Sequence, residues 1–275
     1  MRMPRVVRSL SYHPLLIRSV RALGLRAPAR RLYYRLAAPR QGILRVQGAV
    51  SGGTFVTRSA EQLRAVEAGS SEPSLELLAR FLRPGDTVYD IGSHLGLYSV
   101  LLAQIVGPNG TVVAFEPHHE TYLQLLQNLR LNELPNVRPF EKALGERSGS
   151  EKLYIGGVIA NFSLLPGGIE RSGGGELPFQ WVAVVRGDEF VEAESLPIPR
   201  AVKIDVEGFE YSVIKGIEKT LAAPECEVAC CEIHPRFLPA PVNPAAVVEL
   251  LRSLGYSRIE GQPGDAPYHV VAYKH

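Results

Sequence analysis

Four short segments of the chain end apolar runs on carboxylates, a pattern suited to chemistry on a positively charged ligand. The first is VYDIGSHLGLYS, residues 88–99, where Asp90 closes an apolar run and Gly92 and Gly96 precede a helix-compatible stretch. The second is TVVAFEP, residues 111–117, which places Glu116 26 positions after Asp90. The third is AVKIDVEGFEYSVIKG, residues 201–216, where Val202, Ile204 and Val206 surround Lys203 and Asp205, and Glu207 precedes Gly208. The fourth is CCEIHPRF, residues 230–237, carrying Glu232 and His234 two positions apart.

Residue types and spacing narrow the ligand. Gly92 and Gly96 bring no Cβ, so a ligand can approach the backbone. The helix after Gly96 offers free N–H groups and a partial positive end. A dinucleotide site wants G-x-G-x-x-G, but here the spacing is G-x-x-x-G with an acid before the first glycine. That carboxylate repels a pyrophosphate and attracts a cation. S-adenosylmethionine carries an ammonium and a sulfonium and no phosphate, and is the expected cofactor. Glu116 would accept hydrogen bonds from its ribose hydroxyls, although an acid before Pro117 also suits the first turn of a helix.

Asp205 and Glu207 share one face if their segment is extended. Both would stabilise a neighbouring sulfonium, and either could take the proton of a hydroxyl under attack. His234, with Glu232 on the same face, is the third candidate base. The expected catalytic residues are therefore Asp205, Glu207 and His234. Lys203 reads as the partner of a nearby carboxylate and Glu210 as a first-turn helix acid. A divalent ion shared by Asp205, Glu232 and His234 is the less favoured reading, and no metal ligand is assigned.

These groups need elements to place them. Strands are expected at 86–91, 111–115, 136–140, 201–206, 226–233, 256–260 and 267–273. Helices are expected at 73–82, 96–106, 118–132, 208–221 and 243–254. Alternation of this kind implies an α/β fold, a parallel sheet with helices on both faces. Ligands then bind beyond the carboxyl ends of the strands. A sheet wound outward from 86–91 sets 201–206 beside it, bringing Asp205 to the same crevice as Asp90. Residues 43–58 read as a hairpin turning at Gly52-Gly53. An irregular insertion is expected over 146–200, with short strands near 151–155 and 179–185 and a glycine-rich loop at 167–175. Asn161 is expected over the crevice, and Phe179 and Trp181 in the core of their strand.

The 275 residues carry 30 Lys and Arg against 28 Asp and Glu, but unevenly. Residues 1–60 hold twelve Arg and no acid or Lys, giving +12 against −10 for the rest. Residues 1–40 read as basic amphipathic helices, so 1–60 is taken as a basic extension and 61–275 as the main domain. Such an arm suits an anionic membrane surface, a partner or its own acidic body. An organelle transit peptide is a further alternative, and no secretory signal is evident. Cys226, Cys230 and Cys231 form no CxxC pair and read as reduced core residues of a cytoplasmic protein, with membrane association through residues 1–40 as an addition.

The blocks VYDIGSHLGLYS, VVAFEPHHE, EKALGERSGSEKLYI, GDEF, VKIDVEGFEYSVIKGIEKTL and CEIH resemble the successive motifs of the FkbM-type S-adenosylmethionine-dependent methyltransferases, over about residues 75–235. The resemblance implies a Rossmann-like class I methyltransferase sheet, mostly parallel with a final antiparallel strand. It also implies O-methylation of a hydroxyl on a small molecule, sugar or lipid-linked glycan. By the same resemblance the cofactor-binding set is Asp90, Gly92, Ser93, His94, Gly96, Glu116 and Ala143. Ser93-His94 stands where the family commonly has Ala-Asn, and His94 could hydrogen-bond the methionine carboxylate. The competing readings are a nucleic-acid methyltransferase using the Arg-rich arm, a non-catalytic membrane or partner-binding protein on this scaffold, and a nicotinamide dehydrogenase. The first lacks an Asn/Asp-Pro-Pro-aromatic segment after residues 201–206, and the last lacks the right glycine spacing.

Overall fold

The computed structural model describes residues 42–47, 51–156, 162–165, 177–261, 264 and 266–274. The basic segment before residue 42, Asn161 and the glycine-rich loop 167–175 lie outside the described residues. The chain enters through a hairpin, β1 (Gly42–Gln47) and β2 (Gly52–Thr57), then two helices, α1 (Ala60–Gly69) and α2 (Pro73–Phe81). Gly52 and Gly53 lie within β2, opposite Gln47 and Val46, and do not make the expected turn. Burial sets this register: Leu44 and Phe55 face each other, and both are in the core. Helix α1 was not anticipated; Ser59 caps it by accepting the Gln62 N–H.

The central alternation follows expectation closely. It runs β3 (Thr87–Ile91), α3 (Leu97–Val106), β4 (Thr111–Phe115), α4 (His119–Leu131) and β5 (Val137–Phe140). After an excursion come β10 (Ala201–Ile204), α6 (Glu210–Gly216), α7 (Glu218–Ala222), β11 (Val228–Ile233), α8 (Pro244–Ser253), β12 (Arg258–Glu260) and β13 (Tyr268–Tyr273). The seven-stranded sheet has the order β12-β13-β11-β10-β3-β4-β5. It is parallel from β11 to β5, and β13 runs antiparallel to β11.

Strand alternation splits the core in two. Val88, Val112, Ala201 and Cys230 pack with α1 to α4 and the hairpin on one face. Tyr89, Val113, Val202 and Cys231 pack with α6 to α8 on the other. Cys230 and Cys231 thus point to opposite layers, and all three cysteines are free and buried. The helix expected over 208–221 is two helices. Asp188 accepts the N–H groups of Lys219 and Thr220, and so caps a fresh start at α7.

The excursion between β5 and β10 is more regular than expected. Its strands β6 (Ala143–Gly145), β7 (Gly149–Ile155), β8 (Phe162–Ser163) and β9 (Phe179–Arg186) form a second sheet ordered β6-β9-β7-β8, followed by α5 (Gly187–Ala193). Val182 and Val184 point inward, so period two turns Phe179 and Trp181 outward, 43% and 61% exposed. They are not core residues.

Asn128 ties the hairpin to the main domain. Its Oδ1 accepts the Val56 N–H at 2.8 Å and its Nδ2 donates to the Leu95 carbonyl at 2.8 Å. Asn128→Ala is expected to lower unfolding free energy by about 3 kcal/mol in urea titration, because two buried backbone groups lose their partner.

Candidate active site

The site begins under the sheet's carboxyl edge. Register places Lys203 on β10 directly beside Asp90 on β3. Asp90 is fully buried; Ser99 Oγ donates to its Oδ2 at 2.6 Å, and Lys203 Nζ lies 3.5 Å from its Oδ1. Lys203 Nζ also lies 3.3 Å from Asp205 Oδ2, donates to the Gly92 carbonyl at 3.0 Å, and stands 5.1 Å from the centre of the Tyr98 ring. Burial works against the ammonium, but the Asp205 and Asp90 charges outweigh it and raise its pKa above the ordinary lysine value. Asp90 therefore supports the cavity from below and does not form its wall. Its charge is matched by Lys203.

The glycines serve the same floor. Gly92 has φ +82°, and a Cβ there would lie 1.8 Å from the Asp205 carbonyl oxygen. Gly96 has φ +83° and caps α3; a Cβ there would lie 2.4 Å from Leu125 Cδ1. Protein backbone and helix packing fill the space those Cβ atoms would take, and Gly92 also lines the cavity.

Above this floor lies a cavity of about 250 Å³. Gly92, Ser93, His94, Glu116 and Ala143 of the expected cofactor set line it, as do Lys203, Asp205 and Glu207. Ser93 is held from below, its Oγ donating to the Asp90 carbonyl. Glu116 accepts the N–H groups of His94 and His118, each at 2.9 Å. Those donors favour its carboxylate, but burial dominates and raises its pKa to about 7. Burial lowers His94 to about 4, so its ring is neutral. Leu144, Leu153 and Phe162 supply an apolar side, with the Phe162 ring stacked on His118 at 4.1 Å.

The opposite side is acidic. Strand β10 stops at Ile204, and Glu207 has φ +51°, so Asp205 and Glu207 do not share a face of an extended segment. A turn brings them together instead, and Ser163 Oγ holds it by donating to the Glu207 carbonyl at 2.7 Å. Behind them stands His234. Its Nδ1 lies 2.7 Å from Oε1 of the fully buried Glu210, and its Nε2 lies 3.4 Å from Glu207, 3.9 Å from Glu232 and 4.0 Å from Asp205. Burial works against a charged ring, but the Glu210 hydrogen bond and the Glu207, Glu210 and Asp205 charges raise His234 to about 9. Burial raises Glu207 to about 8. Burial and the Asp205 charge raise Glu232 to about 7. Burial also opposes ionisation of Asp205, yet Lys203 and His234 hold its pKa below the ordinary value. The shift at His234 favours the protonated ring at neutral pH.

The methyltransferase FkbM domain family matches residues 90–258, a span that starts at Asp90 and contains Glu116, Asp205, Glu207, Glu210 and Glu232. The chain belongs to this family. A hexuronic acid methyltransferase, AglP of Haloferax volcanii, is 30% identical over 199 residues, covering 72% of this chain and 74% of the relative. Similar solved structures include an rRNA methylase from Streptococcus thermophilus, with TM-score 0.46, 16% identity and coverage of 74% of this chain and 97% of the other. Fibrillarin of Aeropyrum pernix with bound S-adenosyl-L-methionine gives TM-score 0.46 and 12% identity, covering 86% and 84%.

Two residues of this FkbM methyltransferase carry more than their sequence suggested. Lys203 bridges two carboxylates at the floor, and Glu210 fixes the His234 ring from inside the fold. The available signal was density: one short block holds a lysine and three acids among apolar residues. Lys203→Met is expected to destabilise the fold by about 3–5 kcal/mol in urea titration, because it leaves Asp90 buried and unpaired. Combining it with Asp90→Asn is expected to restore much of that loss.

Proposed function

We propose that this methyltransferase uses S-adenosylmethionine to methylate an oxygen of a sugar acceptor, with uronic acid units the first class to test. The observation that carries the cofactor is Glu116. It is a buried carboxylate at the end of β4 that faces the cavity with both oxygens already oriented by backbone N–H groups. Each oxygen keeps a further lone pair for a ribose hydroxyl. Ala143, Leu144, Leu153 and Phe162 offer an apolar surface suited to an adenine ring. When bound, S-adenosylmethionine supplies an electrophilic methyl group on a positively charged sulfur. Asp205, held ionised by Lys203 and His234, faces that region with negative charge, and Glu207 lines the cavity beside it.

The chain's own contribution is position and proton removal. A sugar hydroxyl entering beside Asp205 and Glu207 donates its hydrogen bond to a carboxylate and yields its proton there. Holding the two reactants in line is worth roughly 7–11 kcal/mol at best. A positioned base adds about 10²–10⁴-fold. The sugar class rests on the hexuronic acid methyltransferase relative at 30% identity.

Two measurements test this reading. Calorimetric titration should show S-adenosylmethionine affinity falling about tenfold per pH unit at most as pH drops below 7. The group concerned has a pKa raised to about 7 in the free protein, so its carboxylate is present above that pH and lost below it. Glu116→Gln should bind at least tenfold more weakly and flatten the profile; an unchanged affinity refutes the site. In single-turnover assays on uronic acid oligosaccharides, Asp205→Asn should slow methylation by about 10²-fold or more, with cofactor affinity little changed.

A further inference from the structure

The acidic side of the cavity holds more ligating atoms than removal of one proton requires. Asp205, Glu207 and His234 each turn one donor atom toward the others, all within 4.8 Å of one another. The nitrogen distinguishes this group from a solvated acidic patch. His234 is 3% exposed, and among the described residues its Nε2 makes no hydrogen bond, although it faces Glu207 at 3.4 Å and Asp205 at 4.0 Å. Its other nitrogen is pinned at 2.7 Å by Glu210, which is fully buried. A buried carboxylate behind a histidine is the arrangement that orients imidazole ligands of metal ions.

We propose that Asp205, Glu207 and His234 bind a divalent cation, and that this ion seats the hydroxyl oxygen of the methyl acceptor. The acceptor role rests on the methyl-transfer reading above; the binding does not. Ligands at right angles on an ion with bonds of about 2.1 Å lie about 3 Å apart. Closing the present distances needs shifts of an ångström or so. Two carboxylate oxygens and one imidazole suit Mg²⁺ or Mn²⁺, with remaining positions open to water and to acceptor oxygens. Each carboxylate commits one oxygen to the ion and keeps the other, which can receive the hydroxyl proton.

The test is Mn²⁺ alone with the full chain after chelator dialysis, followed by loss of the free Mn²⁺ paramagnetic resonance signal. One ion per chain is expected. Glu207→Gln and His234→Ala should each weaken binding at least tenfold. Glu207→Gln keeps size and shape at a partly exposed position, so it guards against a folding failure in His234→Ala. No binding by the wild type at millimolar Mn²⁺, or equal binding by the folded Glu207→Gln variant, overturns the proposal. S-adenosylmethionine titration on the same samples reports the methyl-transfer reading separately. Mn²⁺ binding without cofactor binding would retire that reading and keep the ion, and the converse would retire the ion.

Discussion

The buried ion pair between Asp90 and Lys203 is the constraint on which the site depends. Two neighbouring parallel strands carry opposite charges at the same register position, in a layer otherwise apolar. Neither charge is tolerable there alone. Together with the Gly92 carbonyl and Asp205, Lys203 draws the ends of β3 and β10 into one structure. The turn after β3 and the turn after β10 then touch, Asp205 N donating to the Ile91 carbonyl while the Asp205 carbonyl occupies the space a Cβ on Gly92 would need. The cavity floor is thus two turns locked by one ammonium.

Above that floor the electrostatics separate into two poles. At the β4 end a single carboxylate, Glu116, is surrounded by neutral groups: backbone N–H donors, an uncharged His94 and the Phe162 ring. At the β10 and β11 end Asp205, Glu207, Glu210 and Glu232 crowd around one histidine. An elongated ligand with a polar sugar at one end and positive charge at the other matches such a division. The crowded pole also explains the histidine's high proton affinity: the Glu210 hydrogen bond and the neighbouring acids outweigh the cost of burying a charged ring.

The second sheet has a part in this as well as a place in the chain. Its strand β7 sends Leu153 into the cavity, and β8 sends Phe162 into it and Ser163 onto the Glu207 turn. The same alternation leaves Phe179 and Trp181 on the far side, with Lys152 Nζ 4.3 Å from the Phe179 ring centre. Wall and outer surface are thus set by one period-two pattern read from its two sides.

Much of this was legible in the order of residues. The alternating strands and helices, the carboxylates at strand ends and the adjacency of the Asp90 and Asp205 segments follow from local periodicity and from the way an open sheet winds. The opposite facing of Cys230 and Cys231 follows from strand geometry alone. Other features depend on partners distant in sequence. The hairpin register follows from which side chains the helices cover, and the break between α6 and α7 from Asp188, some 30 residues upstream. Asp90 ends an apolar strand with no local partner; its partner, Lys203, sits 113 positions later. Sequence alone therefore determined the central alternation of strands and helices and which chemical groups it carries. Tertiary structure decided which of those groups face the cavity and which neutralise one another, because burial and charge pairing are set by contacts that no local pattern encodes.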